Sequence, residues 1–418
     1  MEAKKLKSQS ADLKKNFSVY TGTADLSIYF VELGLRNCHP KGNVCFITTN
    51  KFFNTEFGKP LRKLILNNTI TQLINFEQVE VFEGVLVSSV IIGIKPQFAN
   101  ENLFPFHQFY KLNNAQFKEE FVANQNKLGV FDQAHLDESE WSFSTGEKAA
   151  LRRKLESFTR VKNIKGVHVY RGVTTGYNPA FIITNQQRDQ LIQADPNNAK
   201  IIKNMLQGRN IRKWYYNESE ENLIFTRRGI DIKKYPVIEK YLLDFYNQLK
   251  PKAKSNDPEG RKPGNYKWFE ILDNTAYYPH FEKSEKIIWG LTADKWAYAL
   301  DTEQHYLPSN GYIMTSETLP IRFLLGLLNS KVLHHYFGYI GIMTAGGAYT
   351  LKAATIEAMP IPPSTEKQQE DVVKLVNAIL KKKSKDQQAD VSSEEYQIDQ
   401  LVYKLYELTV EEIKIVEG

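Results

Sequence analysis

The stretch EVFEGVLVSSVIIGIKP, residues 80–96, decides how the first part of the chain folds. Its segment from Val85 to Ile94 is short, apolar and rich in β-branched residues, which predicts a buried strand. Phe82 stands just before this strand, at a turn that contains Gly84. Taken alone, the pattern favours a core position for Phe82, because phenylalanine beside a buried strand usually packs inside.

Helix and strand patterns alternate on the amino-terminal side of this strand. Leu26, Tyr29, Phe30 and Leu33 fall on one helical face, and Thr23 is placed to cap that helix. GNVCFITT and ITQLINF predict two further strands, and NTEFGKPLRKLILNN predicts a helix between them. The order strand, helix, strand, strand predicts part of a doubly wound, Rossmann-like α/β sheet.

The remaining sequence predicts three further segments. Residues 1–100 form the partial α/β domain, and residues 101–160 are weakly patterned, which indicates a connector. Residues 161–363 mix short strands and helices, as expected for an α+β domain, and residues 364–418 predict a tail of amphipathic helices.

Composition restricts the function classes. The chain has 418 residues and a formal net charge of +6, which permits a polyanionic partner without requiring one. The two cysteines, Cys38 and Cys45, fit neither a disulfide framework nor a zinc site. The polar start shows no signal peptide, and no apolar run approaches the roughly 18 residues of a membrane span. We therefore expect a cytoplasmic protein with no membrane role and no metal.

No catalytic residue can be assigned from the known short motifs. The sequence contains no G-x-G-x-x-G, P-loop, H-E-x-x-H or G-x-S-x-G. His334 and His335 are adjacent on a predicted helix, where side chains point about 100° apart, so they are poor joint metal ligands. Four segments are basic, GRNIRKWYY, TRRG, GRKPGNYKW and TADKWAYA, and all except TRRG interleave Arg or Lys with Trp or Tyr. A single segment of this kind usually forms solvent-exposed surface rather than a binding site. The four segments together favour nucleic-acid binding.

Several stretches resemble a known family. ADLSIYFVELGL, KGNVCFITTNKFFNTEFGKPLRKLI and VEVFEGVLVSSVIIGIK resemble the second half of the catalytic domain of adenine-specific DNA methyltransferases of the type IIG, Eco57I-like restriction–modification class. RGVTTGYNPAFIIT, IIKNMLQGRNIRKW, EKIIWG, LLGLLNSKVLHHYF and AMPIPP, within residues 166–363, resemble the TaqI-like C-terminal specificity domain, which recognises the DNA target. The end of the chain resembles the helical ends of these proteins.

The resemblance implies a role for Phe82. In the family, the phenylalanine before this turn stacks on the target adenine after the base has flipped out of the duplex.

S-adenosylmethionine is implied as the methyl donor, but the family's main donor-binding motif and its catalytic Asn-Pro-Pro-Tyr lie upstream of the helix ADLSIYFVELG. NPAF, residues 178–181, differs by one residue from that tetrapeptide and follows a polar glycine turn, so we interpret it as a turn. We expect the chain to be inactive alone.

Three functions remain open. The first is recognition of double-stranded DNA, with the following residues near it: Tyr177, Asn178, Arg209, Asn210, Arg227, Arg228, Lys262, Tyr266 and Trp268. In that case, removing charge at Arg227 and Arg228 should weaken binding and flatten its salt dependence. The second is the carboxy-terminal half of an active methyltransferase, completed by an N-terminal partner that would cover an exposed sheet edge. The third is a protein-interaction subunit that uses the apolar face of the tail at Leu401, Leu405 and Leu408.

Overall fold

A computed structural model of the chain shows two compact units, residues 1–150 and 151–418. The structure describes residues 10–22, 25–77, 79, 81–82, 88–99, 101–110, 116, 119, 122, 129–139, 141, 143, 146–254, 257–343 and 348–418. No helix in these described ranges is long and apolar enough to cross a membrane.

The first unit is a mixed α/β sheet. Its elements are α1 (Ser10–Asn16), α2 (Leu26–Asn37), β1 (Val44–Thr49), α3 (Lys59–Leu66), β2 (Thr69–Glu77), β3 (Ser89–Lys95), β4 (Leu103–Tyr110) and β5 (Gly129–Asp132). The strand order is β1-β3-β2-β4-β5. Since β1 and β2 are both antiparallel to β3, they run parallel to each other, and α3 provides the crossover between them. The α/β class predicted for this part is confirmed.

The strand predicted from Val85 to Ile94 is present over the part that the structure describes. β3 runs from Ser89 to Lys95, and Val90, Ile92 and Ile94 are fully buried in the core of the first unit. Residues 85–87 of the predicted strand lie outside the described residues. The predicted connector 101–160 partly belongs to this same sheet, because β4 pairs with β2 and β5 pairs with β4.

The predicted cap of α2 was wrong. Its cap is Asp25, whose carboxylate accepts a hydrogen bond from the Ser27 amide at 2.9 Å; Thr23 lies outside the described residues. The buried face includes Ile28, Val31 and Leu35 as well as Tyr29, whereas the other three residues of the predicted apolar face are exposed: Leu26, Phe30 and Leu33.

Helix α2 packs closely on the sheet at Gly34. A Cβ atom at Gly34 would lie 2.8 Å from the ring of Phe46 on β1, so the helix approaches the sheet through this residue. This close approach does not account for the exposure of Phe30, which lies one helical turn before Gly34.

The second unit carries several small sheets. Its helices are α4 (Gly146–Glu156), which spans the boundary, α5 (Asn178–Phe181), α6 (Asn185–Ala194), α7 (Pro236–Leu243), α8 (Tyr246–Leu249), α9 (Ile321–Leu328), α10 (Lys331–Ile340), α11 (Ala353–Glu357), α12 (Glu366–Lys385), α13 (Ser392–Leu405) and α14 (Val410–Glu417). Its strands are β6 (Thr159–Arg160), β7 (Val167–Arg171), β8 (Ile182–Thr184), β9 (Ile202–Met205), β10 (Glu221–Ile224), β11 (Lys286–Gly290), β12 (Thr292–Ala293), β13 (Ala299–Asp301), β14 (Gly311–Ser316), β15 (Ile342–Met343), β16 (Tyr349–Thr350) and β17 (Pro360–Ile361).

A four-stranded antiparallel sheet, β13-β11-β14-β7, separates two apolar cores in the described part of this unit. Neighbouring residues of β11 show the division, because Ile287 and Trp289 join one core and Ile288 joins the other. The second core also contains residues of the sheet β8-β10-β9. This alternation is what a strand with both faces covered requires.

The three tail helices pack into the first of these cores. Val372 and Val376 of α12 are fully buried, and a Cβ atom at Gly326 of α9 would lie 2.6 Å from Val372. Leu405 is buried, and Leu401 and Leu408 pack against the same core. The apolar face that suggested a protein-interaction subunit is therefore occupied within the second unit.

Candidate nucleic-acid interface

Two glycines facing each other create a cavity in the second unit. A Cβ atom at Gly208 would lie 3.0 Å from the Cα of Gly290, at the end of β11. Because neither residue has a side chain, the turn Gly208–Asn210 can lie directly against this strand end. Gly208, Arg209 and residues 211–213 line a cavity of about 590 Å³, together with Gly290, residues 292–297 and Asn310.

Four cations line this cavity, which we call the basic groove: Arg209, Arg212, Lys213 and Lys295. Asp294 is the acidic side chain among its lining residues. The Arg209 side chain is 73% exposed and pairs with Glu221 at 2.8 Å. Lys295 is exposed and makes no ion pair with any residue in the described ranges. A concave surface with this excess of positive charge attracts a polyanion.

The groove is held in shape by its own backbone contacts. Nη1 of Arg212 donates to the carbonyl oxygens of Arg209, at 2.6 Å, and Ile211, at 2.9 Å. Trp214 follows with a φ of 76°, a left-handed conformation that costs a tryptophan about 1–3 kcal/mol. This indole is buried, and its backbone amide donates to Tyr298 at 3.0 Å.

Glu395 of α13 anchors the same loop to the tail. Its carboxylate accepts from the Trp214 indole and pairs with Lys213 at 2.8 Å. The shape of the groove therefore depends on the tail helix as well as on the strands beneath it.

Arg227 and Arg228, which we predicted near DNA, hold loops of the second unit together. Arg228 donates to the carbonyl oxygens of Asn265, Ile271 and Leu272. Arg227 donates to Thr275 at 3.1 Å and lies 5.4 Å from the ring centre of Tyr278. Replacing either arginine would remove internal bonds, so the charge-removal test proposed from the sequence cannot separate DNA contact from folding.

A third arginine, Arg261, completes this arrangement, and sequence reasoning missed it. It is buried, and it donates to the carbonyl oxygens of Leu249, Thr175 and Trp268 at 2.7–2.8 Å. Burial lowers the pKa of Arg261 to about 10, so it stays charged at neutral pH. We call Arg228 and Arg261, with the Tyr266 ring that lies 5.1 Å and 4.6 Å from them, the arginine brace.

The other predicted residues of this region surround the brace. Tyr266 is buried, and its hydroxyl donates to the Lys262 carbonyl oxygen, so its ring is not available to a base. Trp268 is partly buried and meets Tyr246 edge-on at 5.4 Å. Tyr177 is partly buried, and Asn178 is exposed and accepts a hydrogen bond from Thr175 at 2.6 Å. The Lys262 side chain is exposed.

Arg209 lines the basic groove, Asn210 follows it in the same turn, and Phe82 lies in the other unit. Asn210 closes the turn beside Arg209, since its Oδ1 accepts from the Gln207 amide at 3.1 Å. Phe82 is 49% exposed, so the core position favoured by the strand pattern is wrong. NPAF, which we interpreted as a turn, forms the short helix α5, and Phe181 is fully buried.

The sequence did contain a signal for the groove residues that we did not predict as DNA contacts. Arg212, Lys213 and Lys295 lie in two of the basic-aromatic segments, RNIRKWYY and TADKWAYA. What the sequence could not show is that the turn at Gly208 brings these two segments, some eighty positions apart, to one cavity.

A cluster of buried charged residues lies in the four-stranded sheet that contains β11 and β13. Lys286 of β11 and Asp301 of β13 are both fully buried and form an ion pair, and Lys286 also donates to the Phe281 carbonyl oxygen at 2.7 Å. His305 Nδ1 lies 2.9 Å from Asp301 Oδ1. Burial alone would raise the pKa of Asp301, but the His305 hydrogen bond and the Lys286 charge lower it below its usual value. Burial lowers the pKa of Lys286.

Comparison with known families matches both parts of the chain. Residues 1–82 match the Eco57I restriction-modification methylase, and residues 203–361 match the TaqI-like C-terminal specificity domain. The chain therefore joins an Eco57I-like methylase segment to a TaqI-like specificity domain. All four groove cations lie within the specificity domain, and Phe82 ends the methylase segment.

Individual relatives agree with these two matches. The chain is 20% identical to the type II methyltransferase M.BstVI of Geobacillus stearothermophilus, with 97% of the chain and 71% of the relative covered. It is 23% identical to M.XhoI of Xanthomonas vasicola, with 84% of the chain and 64% of the relative covered.

A solved structure agrees at the level of the fold. The type IIL restriction-modification enzyme MmeI, in complex with DNA, superposes with a TM-score of 0.64 at 15% identity. The superposition covers 98% of this chain and 53% of MmeI, so the chain spans about half of that protein.

Proposed function

We propose that this chain recognises a sequence in double-stranded DNA for a restriction–modification methyltransferase. The observation that carries the proposal is the basic groove, a cavity of about 590 Å³ with four cations inside a TaqI-like specificity domain. The DNA complex of MmeI, which shares the fold, supports the same assignment.

The groove cations have different tasks in this proposal. Lys295 and Arg209 are exposed and can reach phosphate oxygens, which fix the position of the protein on the duplex. Arg212 is already bound to two carbonyl oxygens and Lys213 to Glu395, so they contribute charge and shape. Lys262 is a further phosphate contact, because its ammonium group is exposed beside the arginine brace.

Modification of adenine is the second part of the proposal. Phe82 would stack on a flipped adenine, and its half-exposed ring has the accessibility that stacking requires. S-adenosylmethionine is the methyl donor implied by the methylase likeness.

The test is a binding selection from a randomised duplex pool at about 0.15 M salt, because non-specific phosphate binding weakens steeply as salt rises. Enrichment of one motif containing an adenine is the expected result. Retained DNA without a common motif would refute sequence recognition by this chain.

Groove variants then test where the DNA lies. Lys295→Gln and Arg209→Gln each remove one phosphate contact, which should reduce the slope of log K against log salt by about 0.9. Each lost contact therefore makes binding roughly 3.5-fold less sensitive to a change from 50 to 200 mM salt. Lys374→Gln, an exposed lysine of α12, is the matched control. If all three variants keep the slope of the parent chain, the groove does not contact phosphates.

A further inference from the structure

Residues 262–267, with the sequence KPGNYK, form a surface loop of the second unit that we call the brace loop. Four consecutive residues of this loop, from Lys262 to Asn265, are exposed. Arg261 on one side of them and Tyr266 on the other are buried and belong to the arginine brace. The brace loop is therefore a short exposed segment that is held by buried side chains at both ends.

Internal contacts fix the shape of the brace loop. The Tyr266 hydroxyl donates to the Lys262 carbonyl oxygen, which closes the loop, and Arg228 donates to the Asn265 carbonyl oxygen at 3.2 Å. A Cβ atom at Gly264 would lie 2.8 Å from the Tyr266 ring, so the absence of a side chain lets the backbone lie directly against this ring. Little conformational freedom remains to be lost when such a loop binds a partner.

Buried groups tie the end of the brace loop to the rest of the second unit. Arg261 donates to the Trp268 carbonyl oxygen at 2.8 Å. The Glu270 carboxylate, which is buried, accepts from the Lys267 amide at 2.8 Å and from the Gly229 amide at 3.0 Å. The exposed residues are thus held in one position on a rigid base, which is the precision that contacts to individual bases require.

The brace loop presents polar side chains without internal partners. Asn265 makes no side-chain hydrogen bond, and Lys262 and Lys267 make no ion pair, with any residue that the structure describes. An asparagine amide carries an acceptor and a donor side by side, which match the N6 donor and the N7 acceptor of adenine in the major groove. A lysine beside it can bind phosphate oxygens. The loop therefore combines a group that can distinguish bases with groups that bind the DNA backbone.

We propose that Asn265 reads a base edge of the DNA target, with the brace loop as its support. This role rests on the proposed function and adds the residue that distinguishes one base from another, which phosphate contacts from the basic groove do not. Asn265 binds N6 and N7 of an adenine in the major groove, and Lys262 and Lys267 bind the flanking phosphates. Gly264 has no side chain, which lets the base edge approach the loop closely.

Binding selection from a randomised duplex pool, run on the parent chain and on each variant, measures the base preference at every position of the motif. Asn265→Ala should reduce the preference for adenine about tenfold at one position, because it removes both hydrogen bonds, and should leave the other positions unchanged. Asn265→Asp keeps the size of the side chain but removes its donor, so the preference for adenine should fall at the same position.

Two control variants separate base reading from general effects on binding. Lys262→Gln removes a phosphate contact of the same loop, so it should reduce the slope of log K against log salt by about 0.9 and keep the base preference. Gln193→Ala removes an exposed amide from α6 and should keep both the slope and the base preference.

The possible failures can be told apart. A motif that both Asn265 variants leave unchanged would refute base reading by Asn265 alone, because the chain would still recognise a sequence. A preference that falls equally in Lys262→Gln, or at every position of the motif, would show that the brace loop only positions the DNA, and it would also overturn the assignment of Asn265. If the parent chain enriches no motif, the proposed function fails and the role of Asn265 fails with it.

Discussion

Replacing Asp301 with asparagine tests what the buried charged cluster contributes to the second unit. In the parent chain Lys286 and Asp301 are fully inaccessible and paired, and the Phe281 carbonyl oxygen is a second partner of the lysine. Asp301→Asn leaves a buried ammonium without its counter-charge. Removal of one partner of a buried pair costs about 3–5 kcal/mol, which corresponds to a fall in Tm of about 6–20 °C for a unit of this size.

The double variant Asp301→Asn with Lys286→Met separates loss of charge pairing from loss of packing. Methionine fills the space of the lysine stem and needs no partner, so the double variant should be more stable than Asp301→Asn alone. The cost of Asp301→Asn should also shrink as pH rises. Burial already lowers the pKa of Lys286, and without Asp301 the lysine loses its proton more readily in the folded state.

Urea unfolding followed by tryptophan fluorescence measures all of these variants, since Trp289 is buried on the same strand as Lys286. The matched control is Asp294→Asn, an exposed acidic residue, which should change the free energy of unfolding by less than about 0.5 kcal/mol. The reasoning is refuted if Asp301→Asn costs under about 1 kcal/mol, or if the double variant is less stable than the single one.

Three further outcomes are expected. Arg261→Met removes three hydrogen bonds to carbonyl oxygens and should lower the free energy of unfolding by about 3–5 kcal/mol in urea, with Lys262→Met, its exposed neighbour, near zero. Gly290→Val should distort the basic groove, because a side chain there meets Gly208, and should weaken DNA binding while the buried core remains folded. Burial, Lys283 and other neighbours lower the pKa of His280, so the folded unit binds fewer protons than the unfolded chain below about pH 6.5. Stability should fall as pH drops from about 6.5 towards that lowered pKa, and His280→Gln should flatten this dependence.

Each of these expectations has a contradicting result. Equal unfolding free energies for Arg261→Met and Lys262→Met would show that the arginine brace does not stabilise the second unit. Parent-like DNA affinity in Gly290→Val would show that the close approach at Gly208 does not shape the binding surface. An unchanged pH profile in His280→Gln, measured by thermal unfolding between pH 5 and 8, would assign the dependence to another group.

The sequence patterns predicted where helices and strands form better than they predicted which side chains are buried. The β-branched run before Ile94 forms β3 because that composition suits a strand buried on both faces. The exposed position of Phe30 was not predictable, since periodicity identifies a stripe on a helix but not which of two apolar stripes faces the sheet.

Sequence by itself determined the α/β class of the first unit, the helical tail and the two basic-aromatic segments that line the groove, because these depend on the spacing and chemistry of residues near each other in the chain. Tertiary structure alone decided which cations are free. Arg228 and Arg261 are held by carbonyl oxygens from distant loops, whereas Lys295 remains exposed, although all three occur in or beside similar basic-aromatic segments. The physical reason is that a guanidinium group satisfies several backbone acceptors wherever loops converge, and that convergence is fixed by contacts between residues far apart in sequence.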